Sequence, residues 1–527
     1  MTDRSTTPES VRLAELLAVL ALGADLGMGQ PMEHAMRQSV LALRIGELLG
    51  LNEDDRAVLY YVSLIAWVGC HIDAYEQAKW FGDDLALKGN FRLVDPVGIR
   101  SLGQMIGQIG AGRHGLDRAA VAARFFTGGM RDAAVMLHNH WYAADQLAGE
   151  LGLPQDVRDA LLHTFERWDG KGAPNGIKGE ELQITARIVN LADVLVVFHG
   201  AGGADAAVEV ARQRSGTQFD PSLVELVARE APLLFADLTD TTTWDAIIDA
   251  EPALGPSLSS QQLDAALEAI GDFTDLKSPY TLGHTRAVAE LATATATTMS
   301  WPGAEVAHVR RAALLHDLGR LGVSNAIWDK PGELTAAEAE RVRLHPYLTE
   351  RMLASSPALA ALGATAAQHH ERLDGSGYPR GIRGDSMTAV GRLLAAVDAY
   401  AGKLEPRPHR APLSATEAAQ YLRDEVRAGR QDPQSVDAVL TAAGHPTRRR
   451  REWPAGLTTR EVEVLRLLAR GLSNKQVAER LVISRKTVDN HVEHIYTKIG
   501  VSNRARASLF AVRHGLMAPV EDEEFTP

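Results

Sequence analysis

Seven side chains in the middle of the chain are of the types a divalent metal selects: His284, His316, Asp317, His345, His369, His370 and Asp398. Imidazole and carboxylate donors suit hard-to-borderline divalent cations. No cysteine accompanies them, which argues against a structural zinc module. Adjacent residues on a helix point about 100° apart, so His316 and Asp317 can flank one metal or reach toward a second. An aspartate can bridge through its two oxygens, and His369 with His370 can do similar work at a helix end. The donors come from about four or five separate helices, which suits a site in the centre of a bundle. Two metals about 3.5–4 Å apart can activate a water and hold the phosphoryl oxygen it attacks.

The elements that must position these donors read as helical. Ala, Leu, Val and Glu dominate, apolar residues recur at three and four, and strand-like alternation is scarce, so the expected class is all-α. The length of 527 residues exceeds one hydrophobic core, and roughly two to four domains follow. Hydrophobic residues make up 45%, which argues against general disorder. A formal charge of −12 excludes a protein that coats nucleic acid along its whole length, but not a basic domain inside an acidic chain. Cys70 is the single cysteine, which points to a cytoplasmic chain without disulfides. Met1 to Ser10 lacks the basic-then-apolar pattern of a signal peptide. No uninterrupted apolar run reaches membrane-spanning length, so no membrane partner is expected. Linker-like stretches lie at Pro252–Ser260 and His445–Gly456, and the acidic end after Pro519 reads as frayed.

The chain also repeats itself. "DGSGYPRGIRGD" begins at Asp374, and "DGKGAPNGIKGE" begins 205 residues earlier at Asp169. The same offset pairs Glu166 with Glu371, Arg187 with Arg392, Asp193 with Asp398 and His140 with His345. Upstream the offset becomes 250 and pairs His34 with His284. The first half therefore reads as a copy of the middle domain with an insertion of about 45 residues. At the other metal-donor positions the copy has Ala66, Trp67, Thr164 and Phe165, and Ala173 stands opposite Tyr378.

With His316-Asp317 followed by "HHERLDGSGYP" from His369 to Pro379, the middle segment resembles an HD-GYP domain, a phosphodiesterase branch of the HD phosphohydrolases. The resemblance covers Thr274 to Leu440. It implies an all-helical domain with two divalent transition metals, iron or manganese, held by His284, His316, Asp317, His345, His369, His370 and Asp398. It makes cyclic di-GMP the usual substrate. Asp317 and Arg320 then take catalytic roles, with Arg320 offsetting phosphate charge where the family usually has lysine. Gly377, Tyr378 and Pro379 form the substrate loop, and Arg407 to Arg410 resemble a further family segment. Members with three metals carry a glutamate four residues before the first histidine. Tyr280 stands there instead, and a third metal is not expected. The family's glycine after His345-Pro346 is replaced by Thr349. The first half keeps three of the seven donors, so residues 11–250 read as a degenerate HD-like domain, regulatory or dimerising. Cys70-His71 reads as ordinary packing, and the glycines of "IGQIGAGRHG" lack the lysine and hydroxyl of a phosphate-binding loop.

The C-terminal segment carries a different pattern. Thr458 with Glu461 forms a capping box, and Ser473 with Gln476 starts a second helix through Leu481. Val482-Ile483-Ser484 leads tightly into a third. There Val488, Val492, Ile495 and Ile499 share one apolar face, and polar residues fill the other. Between Leu457 and Ala518 there are 11 basic and five acidic side chains, and Arg448–Arg451 adds four positive charges before them. This is the electrostatic footprint of a DNA-binding module. "LSNKQVAERLVISRKTVDNHVEHIYTKIGVSNR" resembles the LuxR-type (GerE-like) helix-turn-helix, which implies a four-helix domain that usually acts as a dimer. Lys486, Thr487 and Asn490 are expected near base edges, with Lys475, Arg485 and Lys498 as further DNA contacts.

The expected layout is thus 11–250, 262–444 (HD-GYP-like) and 457–518 (DNA-binding). The leading account is a transcription regulator whose metal-binding domain senses or hydrolyses a cyclic dinucleotide, acting on double-stranded DNA as a homodimer. The alternative is a metal-dependent cyclic di-GMP phosphodiesterase that its DNA-binding domain targets.

Overall fold

Among the described residues the chain is helical, with isolated bridges in place of strands. The computed structural model describes residues 11–95, 97, 103, 106–238, 243–252, 257–445, 453–514 and 516, with only the backbone at 91, 128–138 and 505. Met1–Ser10, the Arg448–Arg451 run and the acidic end after Pro519 lie outside the described residues. The chain divides into two units, residues 1–445 and 446–527.

Inside the first unit the repeat is visible element by element. Helices His34–Leu48 and His284–Thr298 each begin at a histidine that follows a left-handed residue, Glu33 with φ 74° and Gly283 with φ 79°. Each start is held by a buried aspartate: Asp25 accepts from Ala35 N, and Asp275 from Thr285 N. Helix Glu53–Ile65 leads into the tight turn Val68–His71, as Gly303–Leu315 leads into Leu318–Gly322. Helix Ile184–Gln213 matches Ala389–Leu404. Between Val68–His71 and Met130–Glu150 the first half inserts helices that include Ala74–Phe81 and Asp84–Phe91.

The two halves share one hydrophobic core that runs from Val11 to Leu440. Helix Leu13–Gly27 is buried on nearly every face because both halves cover it. A Cβ on Gly23 would meet Leu321 Cδ1 at 2.9 Å, so this helix lies directly on the turn that follows His316-Asp317. The stretch around Pro252–Ser260 does not divide two independent cores: Leu258 N donates to Val11 O at 2.8 Å. Among the described residues one helix, Ile184–Gln213, is long and apolar enough to cross a bilayer, although Arg187, Asn190 and Asp193 interrupt its apolar run. Gly202 and Gly203 interrupt its helical dihedrals, and Ile188, Val189, Leu191 and Leu195 are buried in this core.

The second unit has its own core of Val462, Leu465, Leu468, Val477, Val488 and Ile495. Capping boxes start helices Thr459–Ala469 and Asn474–Leu481 at Thr458 and Ser473. Ser484 caps Arg485–Ile499, and Asn503 caps Arg504–Arg513. Val482 takes φ 54° in the tight link.

Candidate functional site

His284 opens its helix, His316 and Asp317 close another, and His345 opens a third. His369 and His370 follow helix Pro357–Ala366, and Asp398 lies within Ala389–Leu404. Glycine at 319 permits close assembly, because a Cβ there would fall 1.9 Å from His345 O.

The seven side chains converge. Asp317 Oδ2 lies 3.4 Å from His284 Nε2 and 3.0 Å from His316 Nε2. Its Oδ1 lies 3.4 Å from His345 Nε2 and 3.6 Å from His369 Nε2. Asp398 Oδ1 lies 3.4 Å from His284 Nε2, and its Oδ2 lies 3.7 Å from His370 Nδ1. Asp317 thus stands between two donor groups, one oxygen toward each. His284, His316 and Asp398 have donor atoms within 4.8 Å of one another, as do His345, His369 and His370.

Nδ1 of His316, His345 and His369 lies 2.7, 2.6 and 2.6 Å from the carbonyls of Ala313, Val342 and Ala366. Donation from Nδ1 leaves the Nε2 lone pair facing inward. His284 Nδ1 meets Glu405 Oε1 at 2.8 Å. Glu405 escaped the sequence reading: only its place one helical stretch after Asp398 hints at it.

Nε2 of His284 and His316 and Oδ1 of Asp317 are buried with no hydrogen-bond partner, and Oδ2 of Asp317 is engaged by Arg320. Native interiors rarely leave such atoms unsatisfied, and unpaired donors grouped around two centres fit divalent cations. Burial pushes His345 down to about 3 and His369 to about 4, which favours the neutral imidazole that a cation requires. Burial also opposes charge on His316, but Asp317 and Asp398 outweigh it and raise it to about 9. Asp317 is held well below the usual carboxylate range: burial would raise it, but Arg320 and His316 win.

Of the seven donors, His370 and Asp398 line a cavity of about 870 Å³, together with Arg320 and Tyr378. Arg320 Nη2 bonds Asp317 at 2.6 Å, and its guanidinium stacks 4.5 Å from the Trp328 ring. Its Nε and Nη1 are buried without partners. The Tyr378 ring lies 4.8 Å from that of His370. Gly377 and Pro379 do not line this cavity. Gly377 is packed against the backbone, where a Cβ would lie 2.4 Å from Arg372 N, an approach that needs glycine. Further cationic side chains on the walls are Arg372, Lys403, Arg407 and Arg410.

The equivalent place in the first half is filled differently. His34 Nε2 lies 3.0 Å from Asp193 Oδ1. Arg92 contacts both, and its guanidinium stacks 4.6 Å from the Trp67 ring. His140 stays apart, its ring against Phe165 at 4.7 Å. Cys70 Sγ lies 3.9 Å from His140 Nε2, but burial pushes its thiol up to about 12, which disfavours a thiolate ligand.

In the C-terminal unit Lys475, Arg485, Lys486 and Asn490 are exposed. Thr487 Oγ1 lies 2.8 Å from Ser484 Oγ, within the helix cap. Lys498 does not join the others as a free cation: its ammonium bonds Glu461 Oε2 at 2.8 Å and Gly456 O at 3.2 Å.

An HD domain model matches residues 130–223 and 268–435, and the model "Bacterial regulatory proteins, luxR family" matches 455–511. The chain is 31% identical over 442 residues to 3'3'-cGAMP-specific phosphodiesterase 3 of Vibrio cholerae, covering 83% of this chain and 96% of that protein. It is 32% identical over 176 residues to a cyclic di-GMP phosphodiesterase of Thermotoga maritima, covering 33% of this chain and 48% of that one. A crystal structure of a cyclic GMP-AMP specific phosphodiesterase of Vibrio cholerae superposes with a TM-score of 0.59 at 27% identity, over 83% of this chain and 98% of that one.

Proposed function

Because this chain belongs to the HD-type phosphohydrolases, in their HD-GYP-like branch, and carries a LuxR-family DNA-binding domain, we propose that it is a metal-dependent cyclic-dinucleotide phosphodiesterase targeted by that domain. The observation that carries this reading is the convergence of seven donors, with buried unsatisfied atoms, beside a cationic cavity that two of them, His370 and Asp398, line. His284, His316 and Asp398 would hold one cation, His345, His369 and His370 the other, with Asp317 between them. Two such cations, when bound, activate a water and neutralise charge on the phosphoryl group.

The chain's own side chains do the rest. Arg320 lines the cavity and has two nitrogens without partners, Nε and Nη1, suited to the oxygens of the reacting phosphate. Trp328 and Asp317 hold its fork in one orientation. Lys403, stacked 4.1 Å from Tyr421, and Arg372 offer positive charge for the second phosphate of a cyclic dinucleotide. Tyr378 covers His370 and limits water at that edge. Hydrolysis forms one P–O bond from water and breaks one to ribose, which opens the ring.

The relative aligned through both halves is specific for 3'3'-cGAMP, so that nucleotide joins cyclic di-GMP as a first candidate. The test is turnover of both by the full chain loaded with iron or manganese under reducing conditions. Absence of turnover on either rejects the enzyme reading and leaves the sensor-regulator, which the exposed Arg485, Lys486 and Asn490 support. DNA binding is tested by selecting duplexes from a random pool with the full chain, as a dimer or monomer. No preference at moderate salt removes the targeting role.

A further inference from the structure

We infer that Asp84, on the insertion of the first half, is a positioning residue for the substrate cavity of the second. The inference rests on the phosphodiesterase reading for its substrate, but its geometry stands apart from the metal centre.

Asp84 is fully buried. Its Oδ1 accepts from Ser324 Oγ at 2.7 Å and from Asn325 N at 2.8 Å. Its Oδ2 faces Lys88 and Lys277 at 3.5 and 3.6 Å. Both lysines are themselves buried. A carboxylate is placed in an interior only when charge and hydrogen bonds compensate it. Here the compensating groups come from both halves, since Lys88 belongs to the insertion while Lys277, Ser324 and Asn325 belong to the second half.

The residues it grips begin a cavity wall. Ser324 and Asn325 start the short helix Asn325–Trp328, and every residue from Ile327 to Leu334 lines the cavity. Asn325 Nδ2 passes the constraint on, bonding Lys277 O and Asp329 Oδ2, each at 2.7 Å. Ser278 Oγ holds the other oxygen of Asp329 at 2.7 Å. Trp328 then meets Arg320 at 4.5 Å and the His345 ring at 5.3 Å. A second contact runs in parallel: Tyr75 of the insertion lies 6.3 Å from Tyr280, another lining residue. The first half therefore holds a cavity wall of the second, and that wall packs against the donor His345. Asp84 touches neither donors nor cavity, so its effect passes through Asn325 and Trp328.

The experiment compares Asp84→Ala and Asp84→Asn in the full chain. With 3'3'-cGAMP and cyclic di-GMP as probes, Asp84→Ala is expected to raise KM about tenfold, the scale of a lost charge-assisted hydrogen bond. Metal content is unchanged, and kcat stays within about threefold. Asparagine keeps an acceptor for Ser324 and Asn325 and restores most of the KM. Amide exchange across 325–334 is read on the same samples and quickens about tenfold in Asp84→Ala. An unchanged KM, or a fall in kcat or metal content at fixed KM, overturns the inference. If Asp84→Ala does not fold, Ser324→Ala is read in its place, and unchanged KM and exchange there overturn it. If the wild type turns over neither nucleotide, the phosphodiesterase reading alone fails. Exchange across 325–334 then decides the role of Asp84, with equal rates counting against it.

Discussion

The first and second halves of the HD-like unit have one backbone plan and opposite interiors. Where the second half gathers His316, Asp317, His369 and His370, the first has Ala66, Trp67, Thr164 and Phe165. The surviving pair, His34 and Asp193, still meets, but the positive charge between them is the guanidinium of Arg92. A buried aspartate needs a cation whatever its source. In one half the donor set calls for a metal, and in the other the chain supplies an arginine from its own insertion. A repeat can thus lose its chemistry and keep its electrostatics, and then serve as support for its twin.

The sharpest way to break this comparison is to remove the central carboxylate. Asp317→Ala should abolish turnover and strip metal, by more than the roughly 10–100-fold that loss of an outer-shell partner costs. Elemental analysis and turnover of the full chain check it. Retained metal at full stoichiometry would mean that the first half holds ions after all.

Arg92→Ala comes next. It strands Asp193 in the interior and should cost about 3–5 kcal/mol, as breaking a buried pair does. Thermal and denaturant unfolding measure that, and metal content should not change. A gain of metal would show that the arginine alone keeps the old site closed.

The glycine-rich loops sharpen the contrast. Glu371 accepts from Arg380 N at 2.8 Å and Ile382 N at 3.1 Å. Glu166 accepts from Asn175 N at 2.7 Å and Gly176 N at 3.1 Å. Glu371→Gln and Glu166→Gln should each cost about 1–3 kcal/mol of stability. Only Glu371→Gln should also lower turnover, because its loop carries Tyr378 over His370. Equal loss of turnover in both would make the loops purely structural.

The smallest effects lie in the C-terminal unit, where a free lysine and an engaged one can be compared. Lys486→Ala should weaken preferred over scrambled duplex by about 1–3 kcal/mol if its exposed ammonium reads a base. Lys498→Ala should leave that ratio intact and cost at most about 1 kcal/mol of stability through its partly exposed pair with Glu461. Duplex titrations and melting curves separate the two.

Much of this was legible in the chain before any folding. Caps at Thr458 and Ser473 are local devices that reach only three residues, so the first two helices of the C-terminal unit follow directly from sequence. The repeat and the seven donors were equally legible, because metal chemistry constrains residue type more narrowly than packing does. Gly377 and Pro379 were read by motif as substrate contacts, and a motif does not reveal that both stand off the cavity lining. Lys498 was read by charge as a DNA contact, but charge does not reveal a partner 37 residues away.

What the sequence determined by itself was helicity, the repeat and the types of the metal donors, all carried by short-range pattern or by residue chemistry. Tertiary structure alone decided that Asp317 stands between two donor groups, that Glu405 backs His284, that Arg92 fills the first half's centre and that Asp84 reaches across to the cavity wall. Each of those facts joins residues far apart in the chain or depends on which way a side chain turns. Burial without water makes each interaction decisive, since an unpaired charge inside must find its partner wherever the fold brings one.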